Sequence, residues 1–112
     1  MVLSKANILG AQDFTISRIL VDAWGGEVCL RPFSARLKDK IEQMSQSSAK
    51  DIQRRAISLA GSICDENGKL IFVEKDIEAL ADKDGNAVDL VMVRILEING
   101  LTEAELDESV KN

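Results

Sequence analysis

The chain has no histidine, no tyrosine, one proline and two cysteines in 112 residues. Each shortage removes a class of function. Without histidine, the commonest general base and the commonest transition-metal ligand are missing. Cys29 and Cys64 form no CxxC pair and have no imidazole to activate them. Neither a zinc site nor a thiol nucleophile is therefore expected. Two cysteines are also fewer than a disulfide-dependent secreted domain uses, and both read as small core residues in a reducing cytosol. No apolar run approaches the ~20 residues that span a bilayer. Residues 1–12 hold no signal-peptide core. Gly25-Gly26 lacks the GxxxxGK[ST] context of a phosphate loop.

Charge narrows the partners further. The formal net charge is −5, and the basic residues are scattered. The densest groups, Arg31/Arg36/Lys38/Lys40 and Arg54-Arg55, are interleaved with acidic or polar residues and read as solvated helix faces. Nucleic acid is not an expected partner, because phosphate binding needs concentrated Lys and Arg. Two acidic segments resemble calcium loops but miss the glycine at the sixth position: Asp65-Glu66-Asn67-Gly68 and Asp82-Lys83-Asp84-Gly85-Asn86-Ala87. Both read as turns. No carboxylate sits in an apolar run where burial would tune it for acid–base work. The expectation is a non-enzyme with no cofactor, no metal and no membrane association.

What is present is a globular composition, 46% hydrophobic and 29% charged. The length suits a single domain over 1–112, with a short helix and β-hairpin in 1–32 and a helical part in 33–112. Ser4 can cap a helix over Lys5–Leu9 that Gly10 stops. Residues 14–23 alternate and are rich in β-branched side chains, which predicts a strand. Gly25-Gly26 suits a tight hairpin turn, Glu27–Pro32 is the return strand, and Pro32 ends it.

Ser34 opens a helix over Ala35–Ser45, with Leu37, Ile41 and Met44 in register. Gln46-Ser47-Ser48 is a polar linker, and the apolar stripe Ile52, Ala56, Leu59, Ala60 and Ile63 predicts a helix over Ala49–Cys64. Asp65–Gly68 is a turn. Leu70–Phe72 is either a strand or an ordered loop. Glu74–Ala81 is a short helix. Ala87–Asn99 is the most apolar helix, ended by Gly100, and its girth suits either a central core position or a partner. Thr102-Glu103-Ala104-Glu105 matches a capping box for a last helix to about Val110. The fold class is α+β, an N-terminal β-hairpin followed by a mostly α-helical bundle of about five helices.

Three motifs in this order carry a resemblance. They are Trp24-Gly25-Gly26-Glu27-Val28-Cys29-Leu30-Arg31, Asp65-Glu66-Asn67-Gly68-Lys69-Leu70-Ile71-Phe72 and Gly100-Leu101-Thr102-Glu103-Ala104-Glu105. With the capped helix before them, they resemble the tail assembly chaperones of long-tailed, non-contractile bacteriophages along nearly the whole chain. The linker at Gln46-Ser47-Ser48 is shorter than that family's pattern. The resemblance implies a chaperone that coats the tape-measure protein, recruits tail-tube subunits, acts in the host cell cytoplasm and is absent from the mature virion. It also implies a longer form made by ribosomal frameshifting. Lys111-Asn112 could be encoded within a slippery heptamer after a codon ending in A, or could be a plain solvated terminus. The family has no catalytic residues to transfer.

Such a role needs an apolar surface with a charged rim. The candidate interaction residues are Leu90, Met92, Val93 and Ile98 with Trp24 at the hairpin tip, whose ring either anchors a partner or folds back on a helix. The hairpin edges and the apolar helix 87–99 also predict a homo-oligomer. The alternative is a small phage or prophage structural protein, such as a head–tail joining or tail-terminator subunit.

Overall fold

A computed structural model describes the backbone of residues 1–46 and 51–101 and the side chains of 1–44 and 53–101. The chain is α+β. A first helix, α1 (Lys5–Gly10), leads to the antiparallel hairpin of β1 (Ser17–Val21) and β2 (Gly26–Leu30). Helices α2 (Ala35–Gln46) and α3 (Asp51–Ala60) follow, then a short third strand, β3 (Ile63–Cys64). A single 3-10 turn, Glu74–Asp76, runs into α4 (Ile77–Ala81), and α5 is Gly85–Ile98. The expected last helix over residues 102–110 lies outside the described residues.

The sheet order is β1-β2-β3, all antiparallel. The third strand corrects the expected helix over Ala49–Cys64. Helix α3 ends at Ala60, and Ile63-Cys64 pair with Leu30 and Cys29 of β2. The apolar spacing continues through Ile63, but Gly61 is a poor helix residue and stands where α2 crosses. A Cβ there would collide with the Leu37 side chain. Past Gly61 the extended chain also supplies β2 with a second partner, so its outer backbone groups are not left open. The longest described helices are consequently α5 and α2, with 14 and 12 residues, rather than α3 with 10.

The hairpin loop also differs from a Gly-Gly turn. Val21 pairs with Gly26, which leaves a loop of residues 22–25. Asp22–Trp24 form one 3-10 turn, closed by a hydrogen bond from the Gly25 N–H to the Asp22 carbonyl at 3.0 Å. Gly25 alone takes a positive φ, 78°. The wider loop takes residues 22 and 23 from the end of the expected strand 14–23, and β1, Ser17–Val21, also starts later, at the register where Ser17 pairs with Leu30.

Leu70–Phe72 resolves as an ordered loop with one bridge, Leu70 to Cys64. The Asp65–Gly68 turn that precedes it is held by the Asp65 carboxylate, which accepts from the N–H groups of Asn67 (2.8 Å) and Lys69 (2.9 Å). This local side-chain bonding is the ordinary use of Asp at a turn.

The core lies between the sheet and α3, α4 and α5. Leu30, Leu59, Val91 and Ile95 are fully buried at its centre. Helix α5 packs on α3 and on β1, and α2 also packs on α3. No helix among the described residues is long and apolar enough to cross a membrane.

Candidate functional site

Helix α5 is set by its ends. The Asp84 carboxylate accepts from the Ala87 N–H at 3.0 Å, an N-cap that satisfies one of the first free donors. At the far end Gly100 takes φ 69°, and the N–H groups of Leu101 and Gly100 return to the carbonyls of Leu96 and Glu97. This is a Schellman closure, with glycine at its left-handed position.

Between the caps, one stripe faces inward: Val88, Val91, Met92, Ile95 and Leu96 are buried. The opposite pole carries Leu90 and Val93, which remain 46% and 48% exposed. Three residues apart, they sit side by side on one helical turn. Charge borders this pair. Arg55 of α3 reaches Asp89 at 2.7 Å, and Arg94 reaches Glu97 at 3.1 Å. Both ion pairs are solvent-exposed, so each contributes little to stability; their effect is to frame a small apolar surface with fixed charges.

The five residues expected at the interaction face divide three ways. Leu90 and Val93 form the open surface. Met92 does not join them: it is 7% exposed and belongs to the core. At 100° per residue, Met92 falls in line with Val88 and Leu96, on the side that meets the sheet and α3. Ile98 is half-buried and packs against the core near the end of α5. Trp24 is half-buried too, and its ring leans on the core at the closed end of the hairpin.

The ring of Trp24 forms one wall of a groove of about 280 Å³, which Ile63, Phe72, Ala79 and Leu80 line and Asp76 and Lys83 flank. Phe72 and Ile63 enter it from the loop and strand that follow α3. Sequence spacing had no means of bringing them to Trp24, which lies 39 residues before Ile63 and 48 before Phe72.

Arg31 departs from the solvated basic cluster in which it was expected. Its Nη1 donates to the Gly68 carbonyl at 2.8 Å, and its guanidinium lies 4.4 Å from the Phe14 ring centroid. The planar head can do both at once because it donates in its plane and stacks on its face. Arg36, Lys38 and Lys40 are exposed, as a solvated helix face requires.

The cysteines stand directly opposite one another on β2 and β3 as free thiols. Burial, reinforced by the neighbouring Cys29, raises the Cys64 thiol above its usual range, and nearby Arg31 only partly offsets this. Among the described residues, no group of three or more His, Cys, Asp or Glu side chains is placed to hold a metal ion.

In sequence the chain matches no family model, and no curated protein matches it. In structure it is similar to the tail assembly chaperone of bacteriophage HK97, with a TM-score of 0.65 at 16% identity. The match covers 79% of this chain and 84% of that one. At such identity the likeness is one of fold, and the resemblance carried by the sequence motifs has its counterpart at that level. The similar protein is a chaperone rather than an enzyme.

Proposed function

We propose that this chain is a phage tail assembly chaperone that covers apolar helical stripes of a tape-measure protein and recruits tail-tube subunits before the tail polymerises. The observation that carries the reading is the fold shared with the HK97 tail assembly chaperone along 79% of this chain. The α5 surface supports it. Leu90 and Val93 offer an apolar strip to a partner helix, and the Arg55–Asp89 and Arg94–Glu97 pairs give it a polar rim. A strip this small binds reversibly, which suits a protein that acts in the host cytoplasm and leaves before the virion is complete.

The test is co-expression of the chain with a phage tape-measure protein, followed by capture through a tag on the chain. Retention of the tape-measure protein is expected, and Leu90→Glu with Val93→Glu should abolish it. Mass spectrometry of purified particles should find no copy of this chain. A stoichiometric presence in virions would instead make it a joining or terminator subunit.

A further inference from the structure

The sequence reads Cys29 and Cys64 as core fillers, but the fold turns both away from the core. Val28 and Leu30 of β2 and Ile63 of β3 pack in or against the central cluster. Successive side chains in a strand alternate sides, so Cys29 and Cys64 project from the opposite face of the sheet. There the register sets them directly across from one another. The Arg31 N–H donates to the Ser62 carbonyl at 2.9 Å. Two residues back along the ladder, Cys29 and Cys64 fall in the same hydrogen-bonded class of pair. The Cα atoms of such a pair stand about 5.5 Å apart, inside the range that a disulfide spans. The two thiols already sense each other: burial first, and Cys29 second, raise the Cys64 thiol.

The thiols differ in access. Cys29 is half-buried, whereas Cys64 is 4% exposed. A reagent from solvent therefore meets Cys29 first, and Cys64 lies behind it, placed to react with whatever forms there. The pair also spans a weak seam in the sheet. Strand β3 has two residues and is held to the hairpin through Cys29–Cys64 and Leu30–Ile63. The Asp65–Gly68 turn and the loop that carries Phe72 both hang from it. A bond between the sulfurs would fix this seam covalently.

We propose that Cys29 and Cys64 form a reversible redox switch, a cross-strand dithiol that a low-molecular-weight disulfide such as glutathione disulfide oxidises to a staple between β2 and β3. Cys29 attacks first, as its thiolate. The S–S bond of the small disulfide breaks; one half stays on Cys29 as a mixed disulfide and the other leaves as a thiol. Cys64 then attacks the Cys29 sulfur, and the second half leaves as a thiol. The protein loses two electrons and two protons, and the two released thiols carry them away. The closed loop, 29–64, takes in α2 and α3, so oxidation ties this helical part to the hairpin. In a reducing compartment such a bond is transient and reports the redox poise. The switch does not depend on the tape-measure reading.

The test is incubation of the reduced full chain with glutathione disulfide, alkylation of the remaining thiols at timed intervals, and mass spectrometry of the intact chain and its peptides. A single glutathione adduct on Cys29 is expected. It should give way to a chain two hydrogens lighter than the reduced one, with the Cys29 and Cys64 peptides joined inside one molecule. Cys64→Ala should stop at the Cys29 adduct. Cys29→Ala should react at Cys64 at least about 10-fold more slowly than the parent reacts at Cys29, since a buried thiol is inert. Circular dichroism establishes that each variant folds, and the parent's product decides the matter even where one does not. The oxidised parent should melt roughly 10 °C above the reduced chain, and excess reduced glutathione should restore both thiols. The proposal is overturned by a parent that ends as a stable adduct, that links two chains or that does not react. It is equally overturned by an oxidised chain that melts lower or that reduced glutathione does not restore. None of these results bears on capture of the tape-measure protein, and loss of that capture leaves the thiol chemistry intact.

Discussion

Asn99 ties the end of α5 to the start of the helical half. Its side-chain oxygen accepts from the Phe33 N–H at 2.8 Å, and its side-chain nitrogen donates to the Ile95 carbonyl at 2.7 Å. Asn99→Ala removes both and strands a part-buried backbone donor, so a loss of about 1–3 kcal/mol is expected in urea titration. Cys64 makes stability depend on pH. Burial holds its thiol neutral in the folded chain, whereas the unfolded chain ionises it at the ordinary thiol value. The native state therefore keeps the proton that the unfolded state releases, and the slope of stability against pH is negative. The contribution is intact below the unfolded pKa and is lost as pH rises toward the folded one. Melting temperature should fall on the alkaline side of the thiol range in the parent, and Cys64→Ala should flatten that fall.

Short turns set where the elements begin and end. Gly68 closes the turn that leads from β3 to Leu70, with φ 86°. A side chain there is strained in the left-handed region, and a Cβ would also stand 3.1 Å from the Ile16 methyl. Gly68→Ala should cost about 1–2 kcal/mol, measured by denaturant unfolding. It should also disturb the Gly68 carbonyl that Arg31 holds, and with it the seat of Phe14 ahead of β1. Helix α5 shows the opposite balance. Its caps are local and robust, and its inner stripe bears the main energetic load, so the substitutions that matter most lie between the caps.

For the molecule as a whole, the two sides of α5 should separate folding from association with partners. Val91 is fully buried and Val93 is 48% exposed. Val91→Glu puts an unpaired charge in the core and should abolish cooperative unfolding, since such burial is very costly. Val93→Glu should leave stability within about 0.5 kcal/mol of the parent, as surface substitutions do, while losing capture of the tape-measure protein. A large drop in melting temperature for Val93→Glu would place that side chain in a packed interior and remove the basis for the proposed strip.

Local chemistry was legible in the sequence wherever a few neighbouring residues decide the outcome. The cap at Ser4, the Asp65–Gly68 turn and the stop at Gly100 all follow from side-chain capping or positive φ within a span of four or five residues, whereas the hairpin loop and the bounds of β1 did not. The composition of α5 announced a helix with more apolar surface than one face can bury. It did not say which side the core would take, because that depends on where β1 and α3 lie. Tertiary structure therefore placed Met92 inside and left Leu90 and Val93 out. The same holds for Ile63-Cys64, whose helical spacing yields to pairing with β2, and for Arg31, whose carbonyl and aromatic partners come from distant turns. Periodicity reports what a segment can do alone; burial, strand pairing and charge placement are properties of the partners that the folded chain brings to it.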